Sequence, residues 1–254
     1  MKKVSVNGLS IAYERSGKGV PLVLIHGYPL DHSIWRETSQ LLENDFDVIL
    51  PDMRGFGESS SLNQAYSVSD MADDLAGLLD AIHVEKIALA GHSMGGYVAL
   101  TFAKKYPERV SGLALVSSQA AADSEERKQG RYKTAEDVAL NGVLPVADAM
   151  AGKLSSDKQI QDYSHELIKK QSKEGVIGAL KAMAEREDML AFLVASQLNL
   201  VLVHGDADAL IPLDRAKEIK QARSSSTLIE LPGLGHMPMM EAPEKVAQAL
   251  KLLK

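Results

Sequence analysis

Cysteine is absent from the 254 residues, aromatic residues make up only 5%, and tryptophan occurs once. Without cysteine there is no disulfide framework, no thiolate metal site and no thiol nucleophile. Long apolar runs are missing too: stretches such as 113–116 fall far short of the ~20 residues that cross a bilayer. The N-terminus opens Met1-Lys2-Lys3, but only Val4 and Val6 follow before Asn7-Gly8, so a signal-type apolar core is lacking and a cytoplasmic protein without a membrane partner is expected. Basic residues number 28 against 34 acidic, a net charge of −6, and no basic run exceeds two residues. That pattern argues against nucleic acid as a partner. A chain of this length buries roughly three-quarters of its unfolded surface and needs no staple.

What is present is a strict alternation. Val4 and Val6, then Ile11 and Tyr13, flank Asn7-Gly8, which predicts an antiparallel hairpin on a two-residue turn. Continuous apolar runs follow at 21–25, 46–50, 86–90, 110–116, 198–203 and 227–231. Runs apolar on both faces are the mark of buried parallel strands. Helical periodicity fills the intervals at 33–43, 68–82, 94–106, 213–222 and 243–253. The expected class is α/β, a mostly parallel twisted sheet with helices on both faces. The stretch 119–192 breaks the rhythm: it carries 13 acidic and 11 basic residues, reads as helix throughout, and contains no strand-like run. It is expected to be an insertion over one end of the sheet.

The strongest chemical signal is Gly91-His92-Ser93-Met94-Gly95-Gly96, placed directly between a strand and a helix. A serine on such a turn stands above the sheet at a helix N-terminus, where developing negative charge is favoured. A hydroxyl nucleophile needs a base, and the base needs an orienting acid. Of seven histidines, only His236 sits in a Gly-rich loop after the last strand, in Leu231-Pro232-Gly233-Leu234-Gly235-His236. Asp206 and Asp208 both follow the penultimate strand; Asp208 is preferred as the acid, because Asp206 is suited to bonding within its own turn. His204, Asp206, Asp208 and His236 can be drawn as a metal cluster, but that reading leaves the serine elbow unexplained.

With four motifs in order, the chain resembles the α/β-hydrolase fold family, small carboxylesterase and lactonase type. The motifs are His26-Gly27-Tyr28-Pro29, the 52–59 stretch from Asp52 through Arg54 to Ser59, the Ser93 elbow, and the paired Asp208 and His236 loops. The resemblance implies catalytic Ser93, Asp208 and His236, oxyanion donors at the backbone N–H groups of Tyr28 and Met94, and a structural role for Arg54. It implies a core of residues 1–118 and 193–254 with a helical cap at 119–192. An aspartate nucleophile, as dehalogenases and epoxide hydrolases of this fold use, is excluded by Ser93.

Trp35, Met150, Leu154 and Met237 are expected to line the substrate pocket, while Met239 and Met240 are assigned to the core. Lys and Arg look scattered relative to the motifs, which offers no support for a phosphorylated substrate. The expected activity is hydrolysis of small to medium esters or lactones through an acyl-enzyme, with no cofactor and no metal. Carbon–carbon bond hydrolysis, cofactor-free perhydrolysis, and a ligand-binding or signalling protein on the same fold are the competing readings.

Overall fold

The computed structural model describes residues 1–62 and 64–254. The Asn-Gly turn places Asn7 and Gly8 at φ 50° and 80°, the two left-handed conformations a two-residue hairpin demands. It joins β1 (Lys2–Val6) to β2 (Leu9–Gly17). The remaining strands are β3 (Val20–Ile25), β4 (Phe46–Pro51), β5 (Ile87–His92), β6 (Val110–Val116), β7 (Asn199–Gly205) and β8 (Thr227–Leu231). They form one eight-stranded sheet in the order β1-β2-β4-β3-β5-β6-β7-β8. The β1–β2 and β2–β4 pairs are antiparallel and all others parallel.

The central strands are covered on both faces. Leu22, Val23, Leu24 and Ile25 of β3 are each fully buried, contributing roughly 1.5–3 kcal/mol per side chain. The cover comes from α1 (Arg36–Gln40), entered through a 3₁₀ turn at His32–Trp35, and from α2 (Val68–Ala81), α3 (Met94–Lys105), α9 (Asp214–Ala222), α10 (Pro238–Glu241) and α11 (Pro243–Leu250). Helix α2 starts with a reciprocal Ser67–Asp70 capping box and packs on α3, while α1 packs on α11.

Between β6 and β7 the regular elements are all helices: α4 (Glu125–Asn141), α5 (Leu144–Leu154), α6 (Lys158–Lys169), α7 (Lys173–Ala184) and α8 (Leu190–Ala195). The expected boundary at Phe192 therefore falls inside α8. Helix α4 pairs with α7, and α5 with α6.

This bundle is fastened to the 52–59 loop by backbone contact. A Cβ on Gly175 would lie 2.0 Å from the Gly55 carbonyl oxygen. Ser172 Oγ donates to the same oxygen at 2.8 Å, the Tyr66 hydroxyl donates to the Gly175 carbonyl at 2.9 Å, and the Gly57 N–H donates to Gln171 Oε1 at 2.9 Å. Arg54, expected to be structural, is buried and forks onto Asp74 at 2.5 and 2.8 Å.

Two glycine substitutions should move stability in opposite directions. Gly175→Ala forces a methyl into backbone and should cost about 1–3 kcal/mol. Gly152→Ala, on α5 with open space around its Cβ, should gain about 0.5–1 kcal/mol. Urea unfolding midpoints of both variants against the parent check this pair of signs.

Candidate active site

The elbow is built from close approaches that exclude side chains. A Cβ on Gly91 would lie 2.1 Å from the Gly95 carbonyl oxygen, and one on Gly95 would lie 2.5 Å from that of Ile25. In the turn so formed Ser93 adopts φ 51°, ψ −114°, a conformation that costs of order 1–3 kcal/mol and persists only where the surroundings enforce it. Two bonds do so: the Ser93 N–H donates to the Val116 carbonyl at 3.0 Å, and Ser118 Oγ donates to the Ser93 carbonyl at 2.8 Å. The next residue begins α3, so the Met94 N–H points outward from a helix N-terminus. Among the described residues neither this N–H nor that of Tyr28 has a protein acceptor.

The acid and base loops are brought together at the ends of β7 and β8. Gly205 lets them meet, since a Cβ there would lie 2.2 Å from the Leu234 carbonyl oxygen. His236 Nδ1 lies 2.7 Å from Asp208 Oδ2, with both side chains buried. The other carboxylate oxygen accepts from the N–H groups of Leu210 and Ile211 at 2.8 and 2.9 Å. Burial pushes the Asp208 carboxyl up, but the His236 bond, the adjacent imidazole and the two N–H donors outweigh it and hold the group below the ordinary carboxylate value.

Asp206 takes a different part. Its Oδ1 accepts from the Gly233 N–H at 2.6 Å, which clips the two loops together away from the imidazole. His204 is lowered by burial and its Nε2 lies 2.7 Å from the Ile211 carbonyl. That contact requires Nε2–H as donor, so His204 steadies the acid loop.

The remaining motif histidines are scaffold. His26, lowered by burial, accepts the Met53 N–H at Nε2 over 3.0 Å and sits 2.9 Å from the Gly27 carbonyl through Nδ1. His92 is held well below its ordinary value by burial, and its Nε2–H donates to the His236 carbonyl at 2.8 Å. Asp31, His32 and Asp52 bring ligand-type atoms within 4.8 Å of one another. Their lone pairs are committed internally: Asp52 Oδ1 accepts from His32 at 2.7 Å, Asp52 Oδ2 from the Glu58 N–H at 2.8 Å, and Asp31 Oδ1 from the Ser33 N–H at 2.9 Å. The cluster stiffens the loop below Tyr28.

Ser93 and His236 face one cavity of about 600 Å³, and Tyr28, Tyr97 and Met150 also line it. Three residues expected there are not part of the lining. Trp35 is fully buried at the junction of the 3₁₀ turn with α1, and Met237 is fully buried ahead of α10. Leu154 points into the protein at the end of α5, although its carbonyl accepts the His236 N–H at 2.9 Å. In each case an apolar residue near a motif was claimed by the core, where its whole surface leaves water.

The cavity also gathers what looked scattered in the sequence. Arg127, Arg131, Lys133 and Lys153 all reach it, with Asp137 the one acid in the lining. The available signal was the i, i+4 spacing of Arg127 and Arg131 on α4.

A sequence model described as alpha/beta hydrolase fold matches residues 20–243. A thermophilic esterase from Thermogutta terrifontis, solved with malate bound, superposes with a TM-score of 0.94 at 36% identity, covering 99% of this chain and 97% of that one. The enol-lactonase from Burkholderia xenovorans LB400 superposes with a TM-score of 0.91 at 21% identity over 99% of each chain, a likeness of fold. By sequence, the chain is 32% identical to the dihydrolipoyllysine-residue acetyltransferase component of the acetoin cleaving system of Pseudomonas putida, over 98% of this chain and 68% of that protein.

The Asp208 carboxylate should contribute stability at neutral pH. Its folded value is depressed, so the contribution is complete above the ordinary carboxylate value near 4 and is lost as pH falls through the folded value below that. Urea unfolding of the parent and of Asp208→Asn between pH 2.5 and 7 should therefore show curves that differ most near neutrality and converge in acid. A constant difference across that range would contradict the depressed value.

Proposed function

The chain belongs to the α/β-hydrolase fold family, and within it we propose a serine hydrolase that cleaves carboxylic esters or lactones of small to medium size. The observation that carries this reading is the 2.7 Å Nδ1–Oδ2 contact between His236 and Asp208, made beside a cavity whose wall includes Ser93. Asp208 holds the imidazole with Nδ1 protonated, which leaves Nε2 as the acceptor for the serine proton. Ser93 Oγ attacks the carbonyl carbon as His236 takes its proton. The oxygen of the tetrahedral intermediate is received by the N–H groups of Tyr28 and Met94, each worth roughly 3–4 kcal/mol of barrier. His236 returns the proton to the leaving alkoxide, and water then cleaves the acyl-enzyme by the same route. No step calls for a metal or cofactor.

The likeness to the esterase, at 36% identity over nearly the whole of both chains, supports ester chemistry. We take the 119–192 stretch as a cap that selects among substrates, with Met150 at the acyl pocket, and the protein as cytoplasmic; among the described residues no helix is long and apolar enough to cross a membrane.

Removing the Ser93 hydroxyl tests the nucleophile. Ser93→Ala should abolish turnover of p-nitrophenyl esters and lactones while far-ultraviolet circular dichroism stays unchanged; activity within tenfold of the parent would sink the assignment. Asp208→Asn should lower kcat by about 10⁴, because an amide favours the wrong imidazole tautomer. Asp206→Asn should cost less than tenfold, since Asp206 only clips the loops together. Reversed effects would exchange the two aspartates. A vinylogous 1,5-diketone cleaved faster than every ester and lactone would move the protein to carbon–carbon hydrolysis on the same triad.

A further inference from the structure

We propose that the cavity above Ser93 selects substrates carrying a negative charge on the portion remote from the scissile carbonyl, and that Arg127, Lys133 and Lys153 confer this selection. The inference rests on the hydrolase reading and names the substrate class for it: a small ester or lactone with an anionic substituent, carboxylate or phosphate.

The charge around the cavity runs against the charge of the chain. The protein as a whole is at −6, yet the lining holds four cations and one carboxylate. That carboxylate, on Asp137, accepts from the neutral Asn141 Nδ2 at 2.6 Å and keeps its charge, so the cations still outnumber it. Arg131 is also spoken for: it forks onto Asp123, which Arg186 shares at 2.8 Å. Two guanidinium groups on one carboxylate leave this corner with an excess positive charge.

The other three cations have no such partner among the described residues. Arg127 reaches the Leu210 carbonyl at 3.3 Å, bridging α4 to the loop that carries Asp208. Lys133 on α4 and Lys153 on α5 belong to the lining of the same cavity without joining any of the ion pairs. The lysines of α4 and α6 that do find acids, Lys128, Lys158 and Lys169, are absent from that lining.

Helical geometry explains how the charges converge. On α4 the lining residues Arg127, Arg131 and Thr134 follow i, i+4, i+7, with Lys133 on the flanking row of Gly130 and Asp137, and on α5 Val146, Met150 and Lys153 follow i, i+4, i+7. Each helix therefore offers one face, with Ser93 and His236 also in the wall and Val146, Met150, Leu180 and Met183 giving apolar surface. An acyl chain fits against that apolar surface, and a terminal anion meets the cations. One further donor is uncommitted: Tyr28 Oη is buried without a partner, and burial raises the phenol so that it stays protonated. Convergent positive charge along a cleft with low-dielectric walls focuses the field and draws anions inward.

The test compares esters that share a scissile bond. For monomethyl adipate against the size-matched neutral dimethyl adipate, kcat/KM at low ionic strength should favour the anion by about tenfold, reckoning a few-fold for each exposed cation. The preference should shrink toward unity in 1 M NaCl, where the screening length is about 3 Å. In R127Q/K133Q/K153Q the ratio should fall by a similar factor, with cooperative urea unfolding confirming that the variant is folded. A ratio near one in the parent, indifferent to salt, would overturn the proposal.

A binding arm separates this failure from failure of the hydrolase reading. Calorimetry on Ser93→Ala with adipate, with inorganic phosphate and with neutral adipamide should show either anion binding at least fivefold tighter than the amide, lost in high salt; the tighter of the two identifies the substituent. Anion binding with no ester turnover in the parent would keep the site and discard the hydrolase assignment. Ester turnover with adipate no tighter than adipamide, and phosphate likewise, would discard the site alone.

Discussion

A 2.7 Å hydrogen bond between two buried side chains, Asp208 and His236, is the contact on which the geometry of the candidate site depends. A carboxylate out of water is costly unless its lone pairs are satisfied. Here the imidazole takes one oxygen and two backbone N–H groups take the other. Those N–H groups come from the turn that follows β7, and the imidazole comes from the loop that follows β8. Both strands, their register and the bare Cα of Gly205 are therefore prerequisites for one charged pair. Any shift in the pairing of β7 with β8 would leave a buried carboxylate without its partner.

The histidine loop is also held from outside the sheet. The His236 N–H donates to the Leu154 carbonyl, and the Gly235 N–H donates to Glu241, which in turn accepts from Ser155 Oγ. Leu154 and Ser155 belong to the insertion after β6. The insertion, which we take as a cap that selects among substrates, thus also holds the backbone of His236. Its far end is tied just as closely, through Gly175 against Gly55, to the loop below the His26-Gly27 motif. The insertion spans the active cleft with a backbone anchor on each side, and its polar helix α4 turns charged residues toward the cavity between them.

Much of this was legible beforehand because the signals are local. Apolar runs without alternation mark strands buried on both faces, and each of the expected runs is a strand of the sheet. The elbow is legible because Gly91 and Gly95 are backbone requirements, visible as residue types. Helical spacing identified the insertion as a run of helices. Where the reading placed Trp35, Leu154 and Met237 in the pocket, it used nearness to a motif in the chain, and nearness in the chain does not decide which side of a helix meets the core.

The sequence by itself determined the order of strands and helices, the serine elbow, and the loops that hold a candidate acid and base, since each follows from periodicity or from backbone needs within a few residues. It favoured Asp208 over its neighbour Asp206 as the acid on turn chemistry alone. Only the folded chain supplies the partners, turning Asp208 to a buried imidazole 28 residues away and Asp206 to the Gly233 N–H of the other loop. The cavity belongs to the tertiary structure as well. Its walls come from α4 and α5, its floor from the elbow, and its charge from cations spaced along two helices whose faces meet only after packing. A helix carries its own stripe in its sequence, but the direction that stripe faces is set by the crossing of helices and sheet, a property of long-range contacts alone.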